Sequence, residues 1–440
     1  MKKISIAVVV VLAVAALAAP FGCGMMMERI VREAFDNMNK RYADTGHDVS
    51  AEIVRFDRGY ASSEIEWKIK FGRLKALYNV DEVVFIDRAE HGLSGIISKT
   101  SLEKNLWYTD FVKDKLAGKD PLQISTKYNF TGGIETTVAV DAFNLQVENQ
   151  TLAVKAGRIV VAGDKDFKQF TSDASWEGMA VAEQFSLGEA ALKSSLTMIS
   201  SFIWDGNVTM TVKNAHFQEG GENIDLTNMK LEYVLHFDKE ANKLSAKAEY
   251  GVEGLQAGPD KVSNVFARLG INGVDAKGYE EFMKLYTATV SSILGDINNA
   301  KNDPEKMKQV FEKKMTAVGF QLVAAGEKLL TRGLELQISD LHLQLPDGEI
   351  KGDITLSLLK DMTFAQFIPV AGQPALALEI IALKSNINLP EKLVGDAPML
   401  FVPMYPGMQS GLFVKEGSSV LHKAETKDGK LLLNGKEVLL

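Results

Sequence analysis

The stretch Leu231-Glu232-Tyr233-Val234-Leu235-His236-Phe237-Asp238-Lys239-Glu240-Ala241-Asn242-Lys243-Leu244-Ser245-Ala246-Lys247-Ala248-Glu249-Tyr250-Gly251-Val252 carries the clearest structural signal in the chain. Leu231, Tyr233, Leu235 and Phe237 alternate with their neighbours. The alternation resumes at Leu244, Ala246, Ala248, Tyr250 and Val252, after a short loop from Glu240 to Lys243. A period of two is that of a half-buried strand, and so short a connection joins strands antiparallel, because a parallel pair needs a long crossover.

The same period recurs on both sides. Ile65, Trp67, Ile69 and Phe71 alternate with Glu66, Lys68 and Lys70, and the turn residues Asp57-Arg58-Gly59 make a hairpin with Ile53 to Phe56. Further runs lie at Phe143, Leu145 and Val147, at Val208, Met210 and Val212, and at Leu334, Leu336 and Ile338. Pro346-Asp347-Gly348 turns Leu341, Leu343 and Leu345 toward Ile350. Asp428-Gly429 and Asn434-Gly435, on either side of Leu431-Leu432-Leu433, are hairpin turn signals.

Two intervals have the helical period. Met26, Ile30, Val31, Ala34 and Met38 mark a helix over Met25 to Tyr42. Between 275 and 331, Tyr279, Phe282, Tyr286, Val290, Ile293 and Ile297 form one stripe, and Met307, Phe311, Met315, Val318, Leu322, Ala325 and Leu329 another. Asp303 before Pro304 suits the start of the second helix and Gly333 its end. The expectation is an αα-hairpin that covers a sheet face or packs its two helices together, the stripes being short for a coiled coil.

At the amino terminus Lys2 and Lys3 precede an uncharged run from Ile4 to Met27. At about 1.5 Å per residue a helix of that length crosses a hydrocarbon core of about 30 Å. The positive-inside bias keeps the lysines cytoplasmic and sends the rest outward. Cleavage after Ala16-Leu17-Ala18 and lipidation at Cys23 are the rival readings. All three export the chain. With one cysteine in 440 residues it has no internal disulfide.

Forty-nine Lys and Arg against 57 Asp and Glu give a net charge of −8, so the basic excess of a nucleic-acid binder is absent. A mean hydropathy of −0.02 excludes a polytopic membrane protein. Catalytic motifs are not found. The Gly-Lys pairs at Gly118, Gly429 and Gly435 lack the following Ser or Thr of a phosphate loop, and Gly92-Leu93-Ser94-Gly95 lacks the spacing of a nucleophile elbow. His47, His91, His216, His236, His342 and His422 show no ligand spacing, so no metal or cofactor is expected. Glu64 and Glu66 share a strand face in the manner of paired glycosidase carboxylates, yet among 57 acidic residues such neighbours arise by chance. No catalytic, cofactor or metal residue is assigned. The apolar, proline-rich segment from Pro390 to Pro406 reads as a buried crossing or an exposed docking loop.

Arg58-Gly59, Ser62-Ser63, Glu90-His91-Gly92, Gly273-x-Asp275 before a Tyr/Phe-rich helix, and Leu431-x-Leu433-Asn434-Gly435-Lys436 occur in an order that resembles the YdgA-like family of bacterial envelope proteins. The resemblance implies an uncleaved inner-membrane anchor, a periplasmic body, no assigned reaction, and an incidental Cys23. Taken together, the expected fold is α+β and β-dominated, with an N-terminal transmembrane helix, long antiparallel meander sheets and one αα-hairpin packed on or between them. The expected parts are 1–27 as anchor, 28–262 as a β-rich part and 263–440 as a part containing the αα-hairpin. The expected function is a non-enzymatic, membrane-anchored envelope protein that binds or passes a lipid or other apolar ligand in a β-sheet groove. The alternative is a scaffold that self-associates as a homo-oligomer or binds another envelope protein.

Overall fold

The computed structural model describes the chain apart from residues 1, 72–79, 93–94, 130–131, 148, 183, 220, 259, 300–302, 367–368, 370–372, 397–406 and 439–440. For 2–21, 219, 260, 294–299, 374 and 394–396 it describes the backbone alone. The chain forms two compact units, one of Met1–Ala182, Ala191–Ser201 and Val290–Val310, the other of Glu183–Ala190, Phe202–Thr289 and Phe311–Leu440.

The first unit opens with helix α1 (Lys2–Asp44). Strands β1 (Val49–Arg58), β2 (Ser62–Phe71), β3 (Glu82–Gly92), β4 (Gly95–Ser101), β5 (Leu122–Tyr128) and β6 (Gly133–Val140) then run as an antiparallel meander, with helix α2 (Leu106–Lys115) between β4 and β5. After the hairpin of β7 (Phe143–Val147) and β8 (Gln150–Val154), β9 (Gly157–Asp164) pairs with β6 and β10 (Gln169–Trp176) with β9. β11 (Met179–Val181) pairs with β8. β12 (Phe185–Leu187) belongs to the second unit, whereas β13 (Ala190–Met198) pairs with β10.

The second unit is dominated by the long strands β14 (Trp204–Glu219), β15 (Glu222–Asp238), β16 (Lys243–Ala257) and β17 (Asp260–Asp275), each antiparallel to the next. Helices α3 (Ala276–Asn299) and α4 (Pro304–Glu327) follow. The sheet continues through β18 (Glu335–Leu345), β19 (Gly348–Leu358), β20 (Ile381–Pro390) and β22 (Ser419–Lys427), again antiparallel. The short elements α5 (Pro374–Ala377), α6 (Glu391–Asp396), β21 (Val414–Glu416), β23 (Lys430–Leu433) and β24 (Lys436–Val438) complete it. Asp428 and Gly429 (φ 51° and 73°) and Asn434 and Gly435 (φ 48° and 78°) occupy the left-handed region that a two-residue hairpin turn requires.

The expected membrane anchor is corrected. Among the described residues no helix is long and apolar enough to cross a membrane. The carboxyl end of the expected span is protein core: Cys23 and Met27 share one α-helical stripe with Ile30, Val31 and Ala34, and all five are buried. Side chains pressed against a sheet are not available to lipid. The side chains of 1–21, which make up the rest of the expected span, lie outside the described residues. The fold is therefore β-dominated with long antiparallel sheets and, among the described residues, no membrane-spanning helix. The inner-membrane localisation, the periplasmic body, the membrane as partner and the membrane-anchored function fall with the anchor, and nothing in the structure supports a lipid ligand or a homo-oligomer. Residues 397–406, most of the expected docking loop, lie outside the described residues.

Candidate binding site

In the first unit the family-like motifs converge beneath α1. Paired residues bring Ser63, Ala89, Ser98 and Thr126 into one transverse row across β2 to β5. All four are buried. Small side chains in that row let the helix come close. An added Cβ at Gly24 would lie 2.5 Å from Cε1 of His91 and 3.1 Å from Cδ of Arg58, so only glycine fits there. The Ser63 hydroxyl and Nε2 of His91 are 3.0 Å apart, and Arg58 reaches Glu28 of α1 at 3.1 Å. Cys23 is not incidental, for its thiol donates to the Gly92 carbonyl at 3.6 Å, and burial pushes its pKa up.

Flanking this row, Met27, Ile30 and Val31 of α1 pack with Ile65, Ala89, Ile96 and Tyr128. Asp87 is buried nearby and accepts from the Thr100 hydroxyl at 2.6 Å. Its loss of solvent raises its pKa, and the hydrogen bond from Thr100 offsets only part of that. The core here is filled, and a buried thiol with a raised pKa is a poor nucleophile. The arrangement docks a helix.

The outer face of the same strands is charged. Glu64 bridges Arg55 at 2.7 Å and Arg88 at 3.2 Å, Arg88 continues to Glu103 at 2.6 Å, and Glu66 pairs with Lys104 at 2.5 Å. Each carboxylate of the Glu64 and Glu66 pair is thus occupied by its own cation. A groove of about 620 Å³ lies here, lined by side chains of both signs including Asp57, Glu90 and Lys99.

The second unit is open where the first is filled. Leu235, Ala246, Ile271, Leu336 and Leu356 occupy one transverse row across β15 to β19. The first four, with Trp204, Leu244 and Val274, form one wall of a cavity of about 640 Å³. Tyr279, Phe282, Gly326, Leu329, Leu330, Leu334 and Phe364 form the opposite wall.

Local sequence chemistry places that second wall. Gly273, at φ 74°, turns the chain out of β17 against the Gly333 carbonyl, where no Cβ fits. Asp275 then accepts from the Gly278 N–H at 2.8 Å, satisfying an open donor in the first turn of α3 and setting Tyr279 and Phe282 on one face. Asp303 does the same for α4, accepting from Glu305 and Lys306 at 3.1 and 3.2 Å. Lys328 pairs with Glu281, and Lys243 of β16 donates to the Thr331 hydroxyl at 2.9 Å, tying the helix ends to each other and to the sheet.

The lining is nearly all hydrocarbon. His236 and Ser245 border the cavity but pair with each other across β15 and β16 at positions alternating with Leu235 and Leu244, so their side chains project from the opposite sheet face. There His236 meets Asp205 at 3.2 Å. Tyr279 and Trp204 are the exceptions: each brings one polar side-chain atom to the lining, and burial raises the pKa of the Tyr279 hydroxyl.

The six histidines divide clearly. His91 and His422 are buried, each against a serine, with the Ser385 hydroxyl 2.6 Å from Nε2 of His422 and the Leu412 carbonyl 2.9 Å from its Nδ1. His216 and His342 lie beside Asp225 and Asp340, and His47 lies edge-on to Tyr42. Among the described residues no group of His, Cys, Asp and Glu is arranged to hold a metal ion. The sequence offered no signal for the cavity, whose lining comes from seven strands and helices and the loops beside them.

No curated protein and no solved structure matches the chain. A family model does, over residues 1–440; its description is a bacterial protein of unknown function, DUF945, consistent with the YdgA-like resemblance of the motifs. With the whole length matched, the chain belongs to the DUF945 family of bacterial proteins.

Proposed function

We propose that this chain is a non-enzymatic binding protein whose second unit holds a compact, uncharged, largely hydrocarbon molecule bearing one hydrogen-bond acceptor. The observation that carries the reading is the cavity of about 640 Å³ between the β15–β18 face and the helix ends. Its size and apolar lining are those of small-molecule sites, typically about 300–1,000 Å³. An ionised group has no counter-charge there and would lose its hydration without replacement. The Tyr279 hydroxyl supplies a polar contact that orients an otherwise apolar guest. This reading rests on the cavity alone and requires no membrane.

The test is uptake of the neutral fluorophore N-phenyl-1-naphthylamine by the full chain. The expected result is saturable binding with one site, weakened in Ala246→Trp, whose indole projects into the cavity from its sheet wall. Absence of binding by the folded wild-type chain, or equal binding by Ala246→Trp, ends the proposal.

A further inference from the structure

We infer that Gly326 sets the depth of this cavity and that the part of the ligand lodged against it is a flat, uncharged ring held between Phe282 and Phe364, an inference that rests on the binding reading above. Gly326 is buried in the last turn of α4. A Cβ built there would stand 3.4 and 3.7 Å from Cε2 and Cζ of Phe364 and 3.8 Å from Cε2 of Phe282. These are ordinary contact distances, so alanine fits without strain. Alanine is also the better helix former. The chain therefore carries glycine at a helical position where both packing and propensity admit alanine, and the missing methyl would have touched both rings on the cavity wall.

The backbone that carries these rings is held in place. Phe364 donates its N–H to the Glu327 carboxylate at 2.8 Å, Met362 donates to the Leu330 carbonyl at 2.8 Å, and Arg332 donates to the Asp361 carboxylate at 2.7 Å, fastening the 361–364 segment to the end of α4. Phe282 is stacked on Tyr286 with centroids 6.0 Å apart and an interplanar angle of 14°. Phe282, Phe364 and the bare Cα of Gly326 line the same cavity, and aromatic rings at that wall favour a flat aromatic guest over a branched aliphatic one. Gly319 of the same helix provides the contrast, since a Cβ there meets nothing within 4 Å.

The experiment titrates N-phenyl-1-naphthylamine into the wild-type chain and into Gly326→Ala, Gly319→Ala and Phe364→Ala, with thermal unfolding of each. Gly326→Ala is expected to raise the unfolding midpoint yet weaken binding by about tenfold or more, one carbon being worth that much in a tight apolar pocket. Gly319→Ala is expected to raise the midpoint and leave binding unchanged. Phe364→Ala, which removes a wall without touching the helix, is expected to weaken binding. In displacement, 4-methylphenol is expected to outcompete 1-hexanol of similar hydrophobicity. Unchanged affinity in both Gly326→Ala and Phe364→Ala, or equal displacement by the two alcohols, overturns the inference while leaving the binding reading intact. A folded wild-type chain that takes up no fluorophore instead overturns the binding reading.

Discussion

The sheet face beneath α1 and the β15–β18 face opposite the ends of α3 and α4 are both antiparallel and both charged on their other side, yet one is filled and the other hollow. Under α1 the row Ser63, Ala89, Ser98 and Thr126 is small, and Gly24 brings helix backbone to the His91 ring. Met27 and Ile65 are 0% exposed there. In the second unit the corresponding row is Leu235, Ala246, Ile271 and Leu336, in which every residue but Ala246 is bulkier than its counterpart; Leu336 remains 50% exposed. Small residues under a helix permit sealing. Large ones under helices held by caps and ion pairs leave room.

The comparison breaks most readily at its two extremes. Ile65→Ala, which empties a site with no exposed surface, is expected to cost about 4 kcal/mol, whereas Leu336→Ala costs under about 1 kcal/mol because half the side chain already faces solvent. Urea unfolding of the two variants checks this, and equal losses would erase the distinction between filled and hollow. Gly24→Leu is expected to cost about 3 kcal/mol, because the His91 ring it strikes is buried and positioned against Ser63. Protease cleavage between α1 and β1 should become faster in that variant.

A smaller effect is expected at the second buried serine and histidine pair. Ser385→Ala removes the hydroxyl beside Nε2 of His422, a loss of about 2 kcal/mol for a buried acceptor left unsatisfied, again measured by denaturant. The mildest expectation concerns pH. Burial raises the pKa of Asp87 in the folded chain, so its protonated form favours folding. That contribution is complete below the ordinary carboxylate pKa of about 4 and is lost as pH rises through the higher folded value. The Asp87 contribution should fall over that interval and be missing from the profile of Asp87→Asn; an identical pH profile in the variant would contradict it.

Much of the architecture was legible because strand and turn signals are local. The alternation from Leu231 to Val252 is β15 and β16, and Asn434-Gly435 makes the turn it specifies. Asp275 and Asp303 both sit where helix starts need them. The apolar run ending at Met27 was misread for the opposite reason. Hydrophobicity reports that a segment avoids water without saying whether lipid or a sheet receives it, and Ile65, Ala89 and Ile96, which receive Met27, lie far along the chain. The cavity was invisible for the same cause: Leu235 reads as one more alternating strand residue, and an unfilled space has no residue to mark it.

By itself the sequence determined a part of the strands, the antiparallel sense of neighbouring ones, the two-helix interval and the family, since each depends on neighbours in the chain or on motifs in order. Tertiary structure alone decided that Cys23 and Met27 belong to a protein core and that the helix ends stand off from Leu235 and Ala246. Both depend on side chains that meet only after pairing has set the register, and on how close a helix can approach the row beneath it.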